Sequence, residues 1–193
     1  MSKFSEINLN TQLQNALIDL GLENQTPIQE KTYLKVLSGT DLVGTAQTGT
    51  GKTIAYCLPL LQELSYSNQK DTRILILVPT RELVTQVVQS LEDLTKYITC
   101  RIIGIYGGTN INTQKKTLHN GADIVVATPG RLYDLVLSRS LKLRGIKKLV
   151  IDEVDVMLDL GFRYQLNNIF ELLPEKRQNL MFSATMTEEV DQL

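Results

Sequence analysis

The sequence is poor in residues and runs that mark several protein classes. Its two cysteines, Cys57 and Cys100, cannot form a disulfide framework and match no metal-ligand spacing. No apolar run approaches the roughly 18–20 residues that a membrane-spanning helix needs. Residues 1–4 lack the apolar core of a secretory signal. These absences predict a reducing, cytoplasmic setting without membrane contact.

Neither sign of charge is in excess, since 20 lysines and arginines face 21 aspartates and glutamates for a net charge of −1. This balance alone gives no reason to expect nucleic acid or an anionic membrane as a partner. A 42% share of hydrophobic and 21% of charged residues excludes disordered and collagen-like chains. With 193 residues and no repeat or linker-like stretch, the sequence predicts a single domain.

Short apolar runs recur along the chain, with helical patterns between them. Uninterrupted β-branched runs are typical of strands buried on both faces of a parallel sheet. Residues 83–94 carry apolar side chains at spacings of three and four, which predicts an amphipathic helix. The alternation predicts a three-layer α/β domain whose ligands bind at the carboxyl ends of the strands. The predicted strands are residues 41–46, 73–78, 101–106, 123–127, 148–151 and 180–182.

A glycine-rich segment follows the first predicted strand and precedes an apolar helical run. Its glycines let backbone N–H groups turn toward phosphate oxygens, and the new helix adds its N-terminal dipole. Lys52 can reach the β- and γ-phosphates, and the Thr53 hydroxyl can bind Mg²⁺. The alternative is a glycine-rich turn before a helix, since the segment opens with alanine rather than the usual glycine. The predicted nucleotide-contacting residues of this phosphate loop are Ala46, Gln47, Thr48, Gly49, Thr50, Gly51, Lys52 and Thr53.

Two adjacent acids, Asp152 and Glu153, end another predicted strand. Asp152 can hold Mg²⁺ through water, because this ion prefers hard oxygen ligands. Glu153 can polarise an attacking water, which makes it the candidate catalytic base beside Asp152 and Lys52. The alternative is a helix cap with an acid in the first turn.

Together with the phosphate loop, the residues 152–155 (DEVD) resemble the DEAD-box family of ATP-dependent RNA helicases. Residues 21–29 resemble the family's adenine-reading Q motif, with Phe4 as its upstream aromatic. Further segments are similar to motifs that contact the RNA backbone and to the motif that links ATP state to RNA. These segments are residues 79–83, 107–108, 128–131 and 183–185.

The resemblance implies a role for each matching residue. Gln29 can pair with both polar atoms of an adenine edge, and Phe4 can stack on the base unless it is a core residue. Asp155, Ser183 and Thr185 are expected to form a hydrogen-bonded layer that couples nucleotide state to shape. The candidate RNA contacts offer hydroxyls, backbone N–H groups and arginines rather than base-reading side chains, so little sequence preference is expected. They are Pro79, Thr80, Arg81, Gly108, Thr128, Gly130 and Arg131.

Some residues depart from the family pattern. Val154 stands where the family has alanine, and we expect it to pack without touching phosphate or metal. Gln25 replaces a proline and Leu22 an aromatic residue in the Q motif, and both changes are expected to loosen the adenine loop.

The resemblance implies the first RecA-like domain of a helicase, with residues 1–30 as the Q-motif region and 31–193 as the core. Its expected ligands are ATP, Mg²⁺ and RNA, and its expected activity is ATP hydrolysis that unwinds short RNA duplexes. A second RecA-like domain of the parent chain is expected to complete the enzyme. The isolated domain is then a nearly inactive monomer. The alternative is an ATP- or RNA-binding scaffold without significant turnover.

Overall fold

Six strands form one sheet in the computed structural model, which describes residues 2–193. They are β1 (Leu42–Thr45), β2 (Ile74–Leu77), β3 (Ile102–Ile105), β4 (Ile124–Ala127), β5 (Lys148–Asp152) and β6 (Gln178–Ser183). All neighbouring pairs are parallel, in the order β1-β6-β5-β2-β4-β3. The predicted α/β fold is confirmed, and each predicted strand overlaps an observed one.

Helices connect the strands and cover both faces of the sheet. They are α1 (Thr11–Asp19), α2 (Pro27–Leu37), α3 (Lys52–Glu63), α4 (Arg81–Leu94), α5 (Ile111–His119), α6 (Pro129–Leu137), α7 (Val154–Asp159), α8 (Arg163–Leu172) and α9 (Glu188–Asp191), with a 3₁₀ turn at Phe4–Glu6. Within residues 2–193, no helix combines the length and the apolar character needed to cross a bilayer.

Alternate residues of the central strands enter two separate apolar cores. Ile76 of β2 packs with α1–α4 on one face, whereas Leu75 and Leu77 pack with α5–α9 on the other. This follows from the two-residue period of a strand, which sends successive side chains to opposite faces. The domain therefore has the three expected layers.

The prediction that every strand is buried on both faces is wrong at the edges of the sheet. β2 and β4 are buried along their whole length. β3 is mostly half-buried, and Val43 of the opposite edge strand β1 is 56% exposed. An edge strand has a neighbour on one side only, so its side chains are covered less completely.

Helix α4 confirms the predicted amphipathic pattern. Val84, Val87, Leu91 and Leu94 are buried along one face. The Thr80 hydroxyl accepts a hydrogen bond from the Leu83 N–H at 3.3 Å and so caps the first turn. The helix therefore begins directly after the carboxyl end of β2.

A buried carboxylate joins three strands at the opposite, amino edge of the sheet. Asp123 precedes β4, and its carboxylate accepts hydrogen bonds from Arg73 Nη2 at 2.8 Å and from Arg101 Nε at 3.0 Å. Burial acts to raise the pKa of Asp123, but the bonds from Arg101 and Arg73 outweigh it and leave the pKa below its usual value. Folding therefore favours the ionised form.

We expect Asp123→Asn to lower the free energy of unfolding by about 2–4 kcal/mol, because it leaves buried guanidinium charge uncompensated. Asp71→Asn is the matched control. It removes an exposed ion pair to Arg144 and should cost less than about 1 kcal/mol. Urea denaturation at neutral pH measures both losses, and equal losses would contradict the assignment.

The difference between wild type and Asp123→Asn should also depend on pH. The pKa of Asp123 is lower in the folded protein than in the unfolded chain, where it is about 3.9. The stabilisation by Asp123 is therefore complete at pH values well above about 3.9 and declines as the pH falls through the folded pKa. Repeating the denaturation from neutral pH downward should show the gap closing in acid.

Candidate functional site

The carboxyl edge of the sheet gathers the polar segments that follow the strands. The phosphate loop follows β1, residues 152–155 begin at the end of β5, and residues 183–185 begin at the end of β6. These three strands are neighbours on one half of the sheet, and β2, β4 and β3 form the other half. The candidate nucleotide and RNA residues therefore occupy adjacent halves of one edge.

The phosphate loop has the backbone that its glycines predict. Gly49 and Gly51 have φ angles of 84° and 85°, in the left-handed region that only glycine enters without strain. The Thr50 hydroxyl donates to the carbonyl of Gln47 at 2.7 Å, within the loop. Helix α3 begins at Lys52, directly after Gly51. The loop thus turns sharply into the amino end of a helix, where anions bind favourably.

Lys52 is a buried cation whose amino group has no hydrogen-bond acceptor among residues 2–193. Its Nζ lies 3.6 Å from Oδ1 of Asp152. Burial raises the pKa of the Asp152 carboxyl, although the nearby Lys52 ammonium works against that shift. A buried ammonium group whose N–H donors have no acceptor is suited to binding an anionic ligand.

A tyrosine that was not among the predicted site residues completes this pair. Tyr56 is fully buried, and its hydroxyl donates to Oδ2 of Asp152 at 3.1 Å. Its ring packs against Phe182, with centroids 5.4 Å apart. A position four residues after Lys52 on a predicted helix lies on the same helical face, which is the signal that could have found it.

Glu153 links the end of β5 to the phosphate loop. It occupies the cap position of α7, but its side chain makes no capping bond, contrary to the alternative expectation. Its Oε1 instead accepts a hydrogen bond from the Thr48 hydroxyl of the phosphate loop at 3.3 Å. Its φ of 56° is left-handed, an uncommon conformation for a residue with a Cβ. Val154 beside it is fully buried, as expected.

The Q-motif residues divide between the loop and the core. Gln29 is buried, accepts from the Thr26 N–H at 2.9 Å and donates from Nε2 to the Gly51 carbonyl at 3.2 Å. Phe4 is only 4% exposed and belongs to the apolar core, so here its ring packs as a core residue. Gln25 is buried, and its amide donates to Ser2 Oγ at 3.0 Å and to the Lys3 carbonyl at 3.2 Å. It therefore ties the amino-terminal segment to this loop.

Asp155, Ser183 and Thr185 come together as expected. Oδ2 of Asp155 accepts from the Thr185 N–H at 3.0 Å and from the Thr185 hydroxyl at 2.9 Å. The Asp155 N–H points to Ser183 Oγ at 3.4 Å. Burial acts to raise the pKa of Asp155, but the hydrogen bonds from Thr185 prevail and lower it. The end of β6 is thereby fastened to α7.

On the other half of the edge, Arg131 is hydrogen-bonded to residues that follow β3. Its guanidinium donates to Gln114 Oε1 and to the Thr109 carbonyl, both at 3.0 Å. Gln114 in turn donates to the Tyr106 carbonyl and to the Thr109 hydroxyl, also at 3.0 Å. Gly108 in this loop has a φ of 78°. Gln114 was missed because only tertiary contacts bring it beside the glycines.

The remaining candidate RNA residues differ in accessibility. Arg81 is exposed, and its guanidinium carbon lies 5.0 Å from the centroid of the Tyr106 ring. Pro79 and Thr128 are buried, whereas Thr80 and Gly130 are half-buried at helix starts. Pro129 is the first residue of α6, a position that suits the fixed φ of proline.

A glycine-rich loop between a parallel strand and a helix, facing a buried acid at the end of a nearby strand, defines a P-loop domain of the RecA-like class. The sequence model of the DEAD/DEAH box helicase family matches residues 26–193, and the chain belongs to this family. Named relatives extend the match over nearly the whole chain.

Three relatives are called ATP-dependent RNA helicase CshA, with "DEAD-box" added in the second name. The Listeria monocytogenes protein is 42% identical over 190 residues, covering 98% of this chain and 36% of the relative. The Streptococcus pneumoniae protein is 41% identical over 191 residues, covering 99% and 36%. The Limosilactobacillus reuteri protein is 43% identical over 191 residues, covering 99% and 38%. The chain thus spans little more than a third of the length of these relatives.

Alanine at the two loop glycines should separate backbone strain from side-chain contact. A Cβ on Gly51 would lie 2.5 Å from Gln29 Nε2, whereas one on Gly49 meets nothing within 4 Å. Each substitution should cost about 1–2 kcal/mol for the left-handed φ. Gly51→Ala should cost about 1 kcal/mol more, because it displaces a buried hydrogen bond.

Urea denaturation measures these losses, and the extra loss should vanish in a Gln29→Ala background. Equal losses for the two alanine variants would show that the contact between Gln29 and the loop contributes nothing.

Proposed function

We propose that residues 1–193 form the amino-terminal ATP-binding domain of a DEAD-box RNA helicase. In this proposal the domain binds ATP with Mg²⁺ and the backbone of one RNA strand. It hydrolyses ATP to ADP and phosphate, and so unwinds short RNA duplexes, together with a second RecA-like domain of the same parent chain. The family membership and the names of the relatives support this reading.

The observation that carries the proposal is the unused Lys52 ammonium. Its Nζ is buried, 3.6 Å from Asp152 and without a hydrogen-bond acceptor in the described chain. Phosphate oxygens of ATP would supply the missing acceptors. The backbone N–H groups of residues 46–53 and the amino end of α3 would share the remaining phosphate charge. Gln29 is the Q-motif residue we assign to adenine. Stacking of Phe4, which is 4% exposed, on the base stays a prediction.

The donor chemistry of the site fits Mg²⁺. Residues 2–193 contain no group of three or more His, Cys, Asp or Glu side chains that could hold a metal ion. Mg²⁺ at nucleotide sites takes most of its ligands from water and phosphates, so the Thr53 hydroxyl and the Asp152 carboxylate suffice on the protein side. When bound, Mg²⁺ would offset phosphate charge.

Glu153 is the residue we assign to water activation. Its carboxylate lies against the phosphate loop through Thr48, so an accepting oxygen is available beside the phosphate site. The left-handed backbone at Glu153 directs the side chain there instead of toward the helix cap. A carboxylate so placed can orient an attacking water and accept its proton.

The RNA half of the edge supports backbone rather than base contact. Arg81 is exposed, and Arg131 fixes the loop that carries Gly108. Guanidinium groups and approachable backbone bind phosphates without reading sequence. Residues Asp155, Ser183 and Thr185 would transmit nucleotide state, because they fasten the end of β6 to α7, directly after Asp152 and Glu153.

Glu153→Gln in the full-length protein should lower RNA-stimulated ATP hydrolysis by about 10²–10⁴-fold while leaving ATP binding unchanged, because only the base is lost. Glu171→Gln, an exposed position on α8, is the control and should keep wild-type turnover. Phosphate release and equilibrium binding of a fluorescent ATP analogue provide the two measurements. Undiminished turnover in Glu153→Gln would refute the assignment.

Residues 1–193 alone should hydrolyse ATP at least about 10³-fold more slowly than the full-length protein with RNA. In this family the second domain supplies arginines to the transition state, and such an arginine is worth about 10³–10⁵ in rate. Robust RNA-stimulated turnover by the isolated domain would contradict the need for a second domain. Equally slow turnover by the full-length protein would favour the scaffold alternative.

A further inference from the structure

Tyr56 and Lys52 reach the same carboxylate from one face of α3. They are four residues apart, which places their side chains one above the other on a helix. Lys52 approaches Oδ1 of Asp152 at 3.6 Å, and the Tyr56 hydroxyl donates to Oδ2 at 3.1 Å. The Glu153 N–H donates to Oδ1 at 2.9 Å. Both oxygens of Asp152 therefore have a hydrogen-bond donor from the protein.

Apolar packing also holds the Tyr56 ring in place. It is fully buried, and it lies against Phe182 at an interplanar angle of 45°. Phe182 on β6 is the register partner of Asp152 on β5. It is also the partner of Gly44 on β1, where a Cβ would lie 2.9 Å from the Phe182 ring. The missing side chain at Gly44 thus leaves room for the ring that supports Tyr56.

We propose that Tyr56 is a positioning residue of the nucleotide site, whose hydroxyl fixes the orientation in which the Asp152 carboxylate serves Mg²⁺-bound ATP. This inference rests on the proposed function. A carboxylate can rotate about its Cβ–Cγ bond, and a buried donor on Oδ2 removes that freedom. Oδ1 then stays on the side of Lys52. Hydrogen bonds from outside the ligand set commonly change metal affinity by 10–100-fold.

A purely structural role for the hydroxyl makes a different prediction. In that case Tyr56→Phe lowers stability but leaves the Mg²⁺ requirement of nucleotide binding unchanged. Tyr33→Phe is the matched control, because Tyr33 is also buried and donates to the Asn8 carbonyl at 3.0 Å, a bond that does not involve Asp152.

The test is a Mg²⁺ titration of the binding of a fluorescent ATP analogue to full-length wild type, Tyr56→Phe and Tyr33→Phe. The Mg²⁺ concentration at half-maximal binding should rise about tenfold in Tyr56→Phe and stay at the wild-type value in Tyr33→Phe. In EDTA the three proteins should bind the analogue equally. A Tyr56→Phe midpoint within twofold of wild type, or an equal shift in both variants, would overturn the proposal.

A second measurement needs no nucleotide. Chemical denaturation of Tyr56→Phe, Asp152→Ala and the double variant should show a combined loss of stability smaller than the sum of the single losses, because each single change removes the same hydrogen bond between Tyr56 and Asp152. Additive losses would overturn the proposal.

The two proposals fail in different ways. Wild-type protein that binds no ATP, or Glu153→Gln with full turnover, refutes the proposed function. An active wild type with an unshifted Tyr56→Phe midpoint refutes only the role of Tyr56.

Discussion

The common direction of the six strands is the constraint on which the rest of the structure depends. Parallel pairing requires a crossover after every strand, and it brings all carboxyl ends to one edge of the sheet. Each polar segment is therefore delivered to that edge by the strand that precedes it. Strand order then decides which segments become neighbours. The phosphate loop meets the acids of β5 across β6, although about a hundred residues separate them in sequence.

The buried charged groups at the two edges of the sheet differ in function. At the amino edge, Arg73 and Arg101 donate hydrogen bonds to both oxygens of the Asp123 carboxylate. At the carboxyl edge, Lys52 is also buried, but its ammonium N–H groups have no acceptor among residues 2–193. Burial raises the pKa of its neighbour Asp152. A buried carboxylate paired on both oxygens stabilises strand ends, whereas a buried ammonium without any acceptor retains the capacity to bind a phosphate.

The sequence alone predicts the layers, the strand positions, the phosphate loop and the acids at the end of β5, because each follows from a local signal. The RNA-contact and coupling residues were predicted from the resemblance to the helicase family. Apolar runs mark strands, Gly49 and Gly51 mark a turn with left-handed backbone, and Lys52 follows them directly. What escaped prediction depends on contacts between distant segments. Gln114 lies beside Arg131 only in the folded chain. The incomplete burial of the edge strands depends on which elements end up as neighbours.

The contact between Gly44 and Phe182 links an apolar position at the edge of the sheet to a polar one in the site. Any side chain at position 44 would press on the Phe182 ring, and this ring supports the tyrosine that holds Asp152. A larger side chain at position 44 would therefore displace the Phe182 ring and alter the orientation of the Asp152 carboxylate. Among relatives, we expect residues 44, 56 and 182 to covary as a set, with a larger residue at 44 accompanied by a smaller ring at 182.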